Sequence, residues 1–145
     1  MDQQFEYGGR IMAAGLVPII EPEVSITSPH KEQAETLLHD AIATHLDALP
    51  ADALIMLKLT IPTHPGLYAD LAADPRVLQV LALSGGYGRD EACALLAKDP
   101  AMIASFSRAL LEGLTEAQTG DEFNATLEHS VTEIYQASVD KQRAA

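Results

Sequence analysis

The chain of 145 residues is poor in cysteine, in aromatic residues and in positive charge. Its single cysteine, Cys93, excludes an internal disulfide and fits a reducing compartment, so we expect a cytoplasmic protein in which Cys93 is a small core residue. Only 9 Lys and Arg stand against 21 Asp and Glu, which makes the formal net charge −12. Nucleic acids and anionic membranes require clustered basic residues, so neither is an expected partner.

Several functional motifs are also missing. No apolar run approaches the roughly 20 residues of a membrane-spanning helix. The five histidines are scattered, without an H-x-x-x-H pair or a neighbouring cysteine ligand, so neither a metal nor another cofactor is expected. No G-x-S-x-G indicates a serine hydrolase, and no G-x-G-x-x-G follows a strand to indicate a dinucleotide site.

What the sequence does contain is an alternation of short apolar segments and longer amphipathic ones. The predicted strands are 16–20, 54–61, 77–83 and 102–106, and the predicted helices are 2–14, 30–46, 66–73, 89–97 and 122–138. Four strand–helix units in succession, without hairpin signals, predict an α/β fold with a parallel sheet. No linker divides residues 1–145, so we expect a single unit, either a doubly wound sheet or part of a (β/α) barrel.

The second predicted strand carries a lysine in its middle, Lys58 in the run IMLKLTI. Alternation places Lys58 on one face with Met56 and Thr60. A buried ammonium group must be paired or lose its proton, and a lysine without its proton is the nucleophile of Schiff-base enzymes. The same pattern is compatible with a salt bridge to Glu21 or Glu23, or with an edge strand that leaves Lys58 in water.

Two glutamates, Glu21 and Glu23, follow the first predicted strand in the run IIEPE. Strand alternation places both carboxylates on the same face. Like charges at short range make one carboxylate hold its proton more readily, which suits a general acid–base group. An exposed acidic loop is the alternative interpretation of the same residues.

The third and fourth strands end in residues suited to an anion. Glycines after Ser84 allow backbone N–H groups to approach a phosphate, and the start of the next helix adds its dipole. Arg108 follows the neighbouring strand and can donate two hydrogen bonds to the same phosphate. Together these elements resemble the phosphate site common in (β/α) barrels.

Four runs, in this order and spacing, resemble class I (Schiff-base) fructose-bisphosphate aldolases, closest to the bacterial branch: GLVPIIEPEV, IMLKLTIP, LALSGGY and IASFSRAL. The resemblance extends over essentially the whole chain. It implies a TIM (β/α)8 barrel, of which residues 1–145 supply about four consecutive βα units, strands five to eight. It also implies metal-independent, reversible cleavage of fructose 1,6-bisphosphate to dihydroxyacetone phosphate and glyceraldehyde 3-phosphate, as in glycolysis.

The resemblance also implies residue roles. Lys58 forms the imine with the substrate ketone and Glu21 moves protons. Glu23 is the partner of Glu21; it pairs with lysine and holds the local charge pattern. The implied phosphate ligands are Ser84, Gly85, Ser105, Ser107 and Arg108. Ser107 departs from the pattern, because the animal branch has glycine there.

The first four strands of such a barrel are absent from this chain. The sequence therefore predicts self-association or an N-terminal half-barrel partner, in addition to a sugar-phosphate substrate. Two alternatives stay open. One is another Schiff-base aldolase, and the other is an inactive half-barrel fragment that binds sugar phosphate or a partner chain.

Overall fold

The computed structural model describes residues 1–141. Helices and strands alternate along the chain. In order they are α1 (Asp2–Ala13), β1 (Ile19–Ile20), α2 (Lys31–Asp47), β2 (Ile55–Thr60), α3 (Ala69–Ala73), β3 (Val77–Leu83), α4 (Arg89–Leu96), β4 (Met102–Ala104), α5 (Arg108–Leu111) and α6 (Gly120–Val139). No helix of the described part is both long and apolar enough to span a membrane.

The four strands form one parallel sheet in the order β1-β2-β3-β4, which confirms the predicted α/β alternation. Every strand therefore lies beside the next strand in the sequence. Because crossovers between parallel strands are right-handed, an order that never reverses places all the connecting helices on the same side of the sheet. A doubly wound sheet needs a reversal of strand order, so that alternative is not the topology formed.

The core lies between the helices and one face of the sheet. On β2 the alternate residues Ile55, Leu57 and Leu59 are fully buried and belong to this core, as the period of the strand predicts. Met56 and Lys58 point to the opposite face and are only partly buried. This alternation agrees with the predicted orientation of Lys58.

The second face of the sheet, called here the open face, includes Ile19, Met56, Lys58, Gln79, Leu81 and Ile103, which are linked by pairing of neighbouring strands. Ile19 is 50% exposed and Ile103 is 38% exposed, although both are large apolar residues. The open face is thus largely apolar and carries the ammonium group of Lys58 and the amide of Gln79.

The outer strands are shorter than predicted. β1 has two residues and β4 has three, and Leu16 and Val17 of the predicted first strand are exposed. Each outer strand pairs on one side only, so fewer hydrogen bonds extend its regular structure. The short helix α5 was not predicted, and α6 begins slightly earlier than predicted, at a capping box between Thr119 and Glu122.

Candidate active site at the carboxyl ends of the strands

An ion pair joins Lys58 on β2 to Glu21 in the loop after β1. The distance between Lys58 Nζ and Glu21 Oε1 is 2.8 Å, and the side chains are 21% and 49% exposed. A salt bridge to Glu21 was one of the arrangements that the sequence left open. The Lys58 amine is thus partly exposed to solvent and lies beside a carboxylate that can accept or return a proton.

The second glutamate is not brought to the lysine. β1 ends at Ile20, so Glu21 and Glu23 lie in a loop and strand alternation no longer determines their directions. Glu23 is exposed and forms no hydrogen bond or ion pair within residues 1–141. Its partnership with Glu21 therefore stays a prediction.

Thr60 fixes the loop that carries Glu21 against the strand that carries Lys58. Its buried hydroxyl donates to the carbonyl oxygen of Val24 and accepts from the Val24 N–H, each at 2.9 Å. The sequence placed Thr60 on the same face as Lys58 without giving it a role. The structure shows that it holds two neighbouring strand ends together.

The glycine turn after β3 packs against Ile26 in the loop after β1. Gly85 has φ +61°, and a Cβ atom on it would lie 2.9 Å from Ile26 Cγ2. Tyr87 N–H donates to the Ser84 carbonyl at 2.9 Å and closes the turn, in which Ser84 is almost fully buried. Both the backbone conformation and the close approach of Ile26 therefore require glycine at position 85.

The residues predicted after β4 are divided between the end of that strand and the start of α5. Ser105 N–H donates to the Ala82 carbonyl at 2.8 Å and so extends the pairing with β3. Ser107 precedes α5 and Arg108 is its first residue, and both are exposed. Since β3 and β4 are parallel neighbours, Arg108 and the glycine turn follow strands that end at the same edge of the sheet.

The start of α4 contributes less to an anion site than the sequence suggested. The first N–H of this helix, from Arg89, donates to Glu112 Oε2 at 2.8 Å. A carboxylate of the protein thus already occupies a position that the helix dipole makes favourable for an anion. The predicted phosphate site at this edge then depends more strongly on Arg108 for its positive charge.

Two buried carboxylates that sequence reasoning missed hold the loop after β2. Glu35 and Asp99 are each 1% exposed. Glu35 forms an ion pair with Lys31 and accepts from the Thr63 N–H at 3.0 Å, and Asp99 accepts from the Gly66 N–H at 2.9 Å. The position of Glu35 beside the apolar residues of α2 was the available signal.

Burial raises the pKa of two further side chains, Tyr68 and Cys93, and so favours their protonated forms. The hydroxyl of Tyr68 is buried without a partner among the described residues, and burial raises its pKa well above the ordinary value, with Glu35 and Asp99 adding to the effect. Cys93 is half-buried on α4, where burial likewise raises the pKa of its thiol. Within residues 1–141, no three His, Cys, Asp or Glu side chains gather as metal ligands.

The fold and this site define an α/β protein that places a lysine–glutamate pair and a glycine turn at the carboxyl ends of parallel strands. Comparison with known proteins gives this class a more particular identity. The chain is 52% identical over 139 residues to a class 1 fructose-bisphosphate aldolase of Clostridium acetobutylicum and 53% identical over 139 residues to one of Synechocystis sp.. The predicted resemblance to class I fructose-bisphosphate aldolases is thereby confirmed.

The alignments cover most of this chain but only about half of each relative. Both alignments cover 96% of this chain but only 47% and 46% of the two aldolases. The chain therefore spans about half the length of the curated relatives it matches, which is consistent with a C-terminal half. No protein-family model matches the chain.

Proposed function

We propose that residues 1–145 are one unit, the C-terminal half of a class I fructose-bisphosphate aldolase, and supply strands five to eight of a (β/α)8 barrel. Parallel strands in sequential order, with helices on one side, are the arrangement of a barrel wall. The open face would then be part of the barrel interior. The coverage of about half of each relative supports the same proposal.

The proposed reaction is the reversible cleavage of fructose 1,6-bisphosphate, and the contact between Lys58 and Glu21 is the observation that carries it. Lys58 Nζ attacks the C2 carbonyl, and Glu21 moves the protons that allow water to leave as the imine forms. Glu21 takes the proton of the C4 hydroxyl, the protonated imine accepts the electron pair of the C3–C4 bond, and glyceraldehyde 3-phosphate leaves. Protonation of the enamine at C3 and hydrolysis release dihydroxyacetone phosphate and restore Lys58.

The substrate phosphate is assigned to the edge formed by β3 and β4. The proposed ligands are Ser84, Gly85, Ser105, Ser107 and Arg108. Two observations support this assignment. The turn after β3 is closed and contains a glycine with positive φ, and the exposed Arg108 follows β4, the strand that pairs with β3. A guanidinium group is suited to a phosphate because it donates two parallel hydrogen bonds.

Borohydride trapping tests the role of Lys58. The chain, mixed with an N-terminal aldolase half, is incubated with dihydroxyacetone phosphate and borohydride, and the peptides are mapped by mass. We expect the adduct on Lys58 and its loss in Lys58→Met. Lys31 is a matched internal comparison, because it too is paired with a glutamate but lies outside the open face. An adduct on Lys31 with Lys58 unmodified would contradict the assignment.

The proposed partner is a chain that completes the barrel. Alone, this half leaves Lys58 on the open face and lacks the strands that would position the substrate, and misplacement by about 1 Å lowers a rate about a hundredfold. We therefore expect little cleavage by the isolated chain, together with self-association, and recovery of activity when an N-terminal half is added. A coupled cleavage assay with sedimentation measures both. A monomer with full turnover would refute the half-barrel proposal and favour a different architecture.

A further inference from the structure

Two hydrogen bonds connect the start of α4 with the residue that follows α5. Arg89 is the first residue of α4, which begins after Gly88, and its N–H donates to Glu112 Oε2 at 2.8 Å. Arg89 is also the donor in the second bond, from its Nη1 to the Glu112 carbonyl oxygen at 3.0 Å. Glu112 directly follows α5, whose first residue is Arg108. The contact thus ties α5 to the helix that follows the glycine turn.

The guanidinium group of Arg89 is itself held in place by α6. Arg89 Nε donates to Glu133 Oε2 at 2.8 Å, and Nη1 donates to the Ser130 hydroxyl at 2.6 Å. Ser130 is fully buried, and the Arg89 side chain is only 13% exposed. Since a carboxylate, a hydroxyl and a carbonyl oxygen already engage this guanidinium, Arg89 is suited to holding structure in place and not to binding the phosphate itself.

Helix α5 needs such an anchor. It has four residues, and a helix this short is not stable by its own hydrogen bonds. Its only buried residue is Ala109, and the helix packs mainly against α6 and less against α4. The contacts at Glu112 join its end to α4 by hydrogen bonds, and they contribute in this way to the direction from which Arg108 can reach a phosphate.

We propose that Arg89 and Glu112 are positioning residues of the phosphate subsite, which hold the helix of Arg108 against the start of α4, the helix that follows the turn at Ser84 and Gly85. The inference rests on the proposed function, because it takes the phosphate site at this edge as given. It predicts that the affinity for a phosphate group depends on two residues that do not touch the phosphate.

The test is a titration of the isotope-labelled 145-residue chain with inorganic phosphate, followed by NMR at the amides of Gly85 and Arg108. In the unmodified chain both signals should shift with one saturable dissociation constant. Arg89→Lys keeps the charge but loses the planar fork, and we expect it to raise that constant about tenfold. Glu112→Ala should act in the same way, whereas Glu112→Gln keeps an oxygen for the Arg89 N–H and should retain most of the affinity.

Arg76→Lys is the matched control. Arg76 is similarly buried, at 16% exposure, and also bonds to a carboxylate and a backbone carbonyl, but it precedes β3 at the opposite end of that strand. It should lower thermal stability without changing phosphate affinity. Unchanged affinity in Arg89→Lys would overturn the inference and leave the proposed function standing. No saturable shift in the unmodified chain would overturn the proposed phosphate site and this inference together.

Discussion

Removal of Glu35 should destabilise the protein more than removal of Glu35 and Lys31 together. Glu35 is 1% exposed, and its carboxylate balances the charge of Lys31, whose side chain is 11% exposed. Lys31 Nζ also donates to the Ile61 carbonyl at 2.9 Å, so the ammonium group is held at the loop even without its partner. In Glu35→Ala this cation stays buried without a counter-charge, and the Thr63 N–H loses its acceptor.

The structure sets the size of the effect. Removing one partner of a buried ion pair lowers the free energy of unfolding by about 3–5 kcal/mol. Because Lys31 keeps the Ile61 carbonyl and some contact with solvent, we expect the lower end, about 3 kcal/mol. For a chain of this length that corresponds to a fall in Tm of about 10 °C. Lys31→Met with Glu35→Leu removes both charges, and we expect a smaller loss of about 1–2 kcal/mol, from the unpaired Thr63 N–H and the Ile61 carbonyl without its Lys31 donor.

Urea denaturation of the single and double variants measures the difference. The control is Glu32→Ala on the same helix, because Glu32 and His64 form an exposed pair, with 65% and 67% of their side chains in solvent. Exposed pairs contribute little, so this change should stay below about 1 kcal/mol. The reasoning is refuted if Glu35→Ala is as stable as Glu32→Ala, or if the double variant is less stable than Glu35→Ala.

Three further predictions concern individual contacts. Gly85→Ala should lower the free energy of unfolding by about 2–3 kcal/mol, because of backbone strain and the contact with Ile26. Gly15 has φ +78° and open space around it, so Gly15→Ala should show only the backbone strain, about 1–2 kcal/mol. Equal losses in the two variants would contradict this. Thr60→Val should cost about 2–3 kcal/mol by leaving both backbone groups of Val24 unpaired, and a change below about 0.5 kcal/mol would argue against it. Burial lowers the pKa of His39, but hydrogen bonds with Asp70 and Asp40 outweigh burial and raise it above 6.5. The stabilising contribution of His39 is therefore present below pH 6.5 and is lost as the pH rises through the folded pKa. In urea denaturation, the difference in unfolding free energy between the unmodified chain and His39→Asn should therefore shrink from pH 5.5 to pH 8.5. A difference that grows over this range would contradict the prediction.

The sequence predicted best what depends on local periodicity. The alternation along β2 was sufficient to place Lys58 and Met56 on one face and Leu57 and Leu59 on the other. The order of segments likewise predicted a parallel sheet, because hairpin signals between the strands were missing. Both inferences need only neighbouring residues, since the period of a strand is a property of its own backbone.

The contacts that complete the site could not be read in the same way. Glu35 lies on α2 with an ordinary helical spacing, and only the return of the chain after β2 shows which N–H its carboxylate accepts from. Arg89 and Glu112 are 23 positions apart, a separation without a periodic signature. The directions of Glu21 and Glu23 depended on where β1 ends, and strand ends are determined by pairing with neighbouring strands.

The sequential order of the strands also has a consequence for how the protein folds. Each strand pairs with the strand that follows it in the chain, so the pairings close comparatively short loops. β2 and β3 have the most extensive register, from Ile55 to Thr60, and β1 and β4 each add only a few pairs to it. We expect the β2–β3 pair to form the folding nucleus, with the outer strands joining later. We therefore expect β2 and β3 to pair during synthesis, before α6 has left the ribosome.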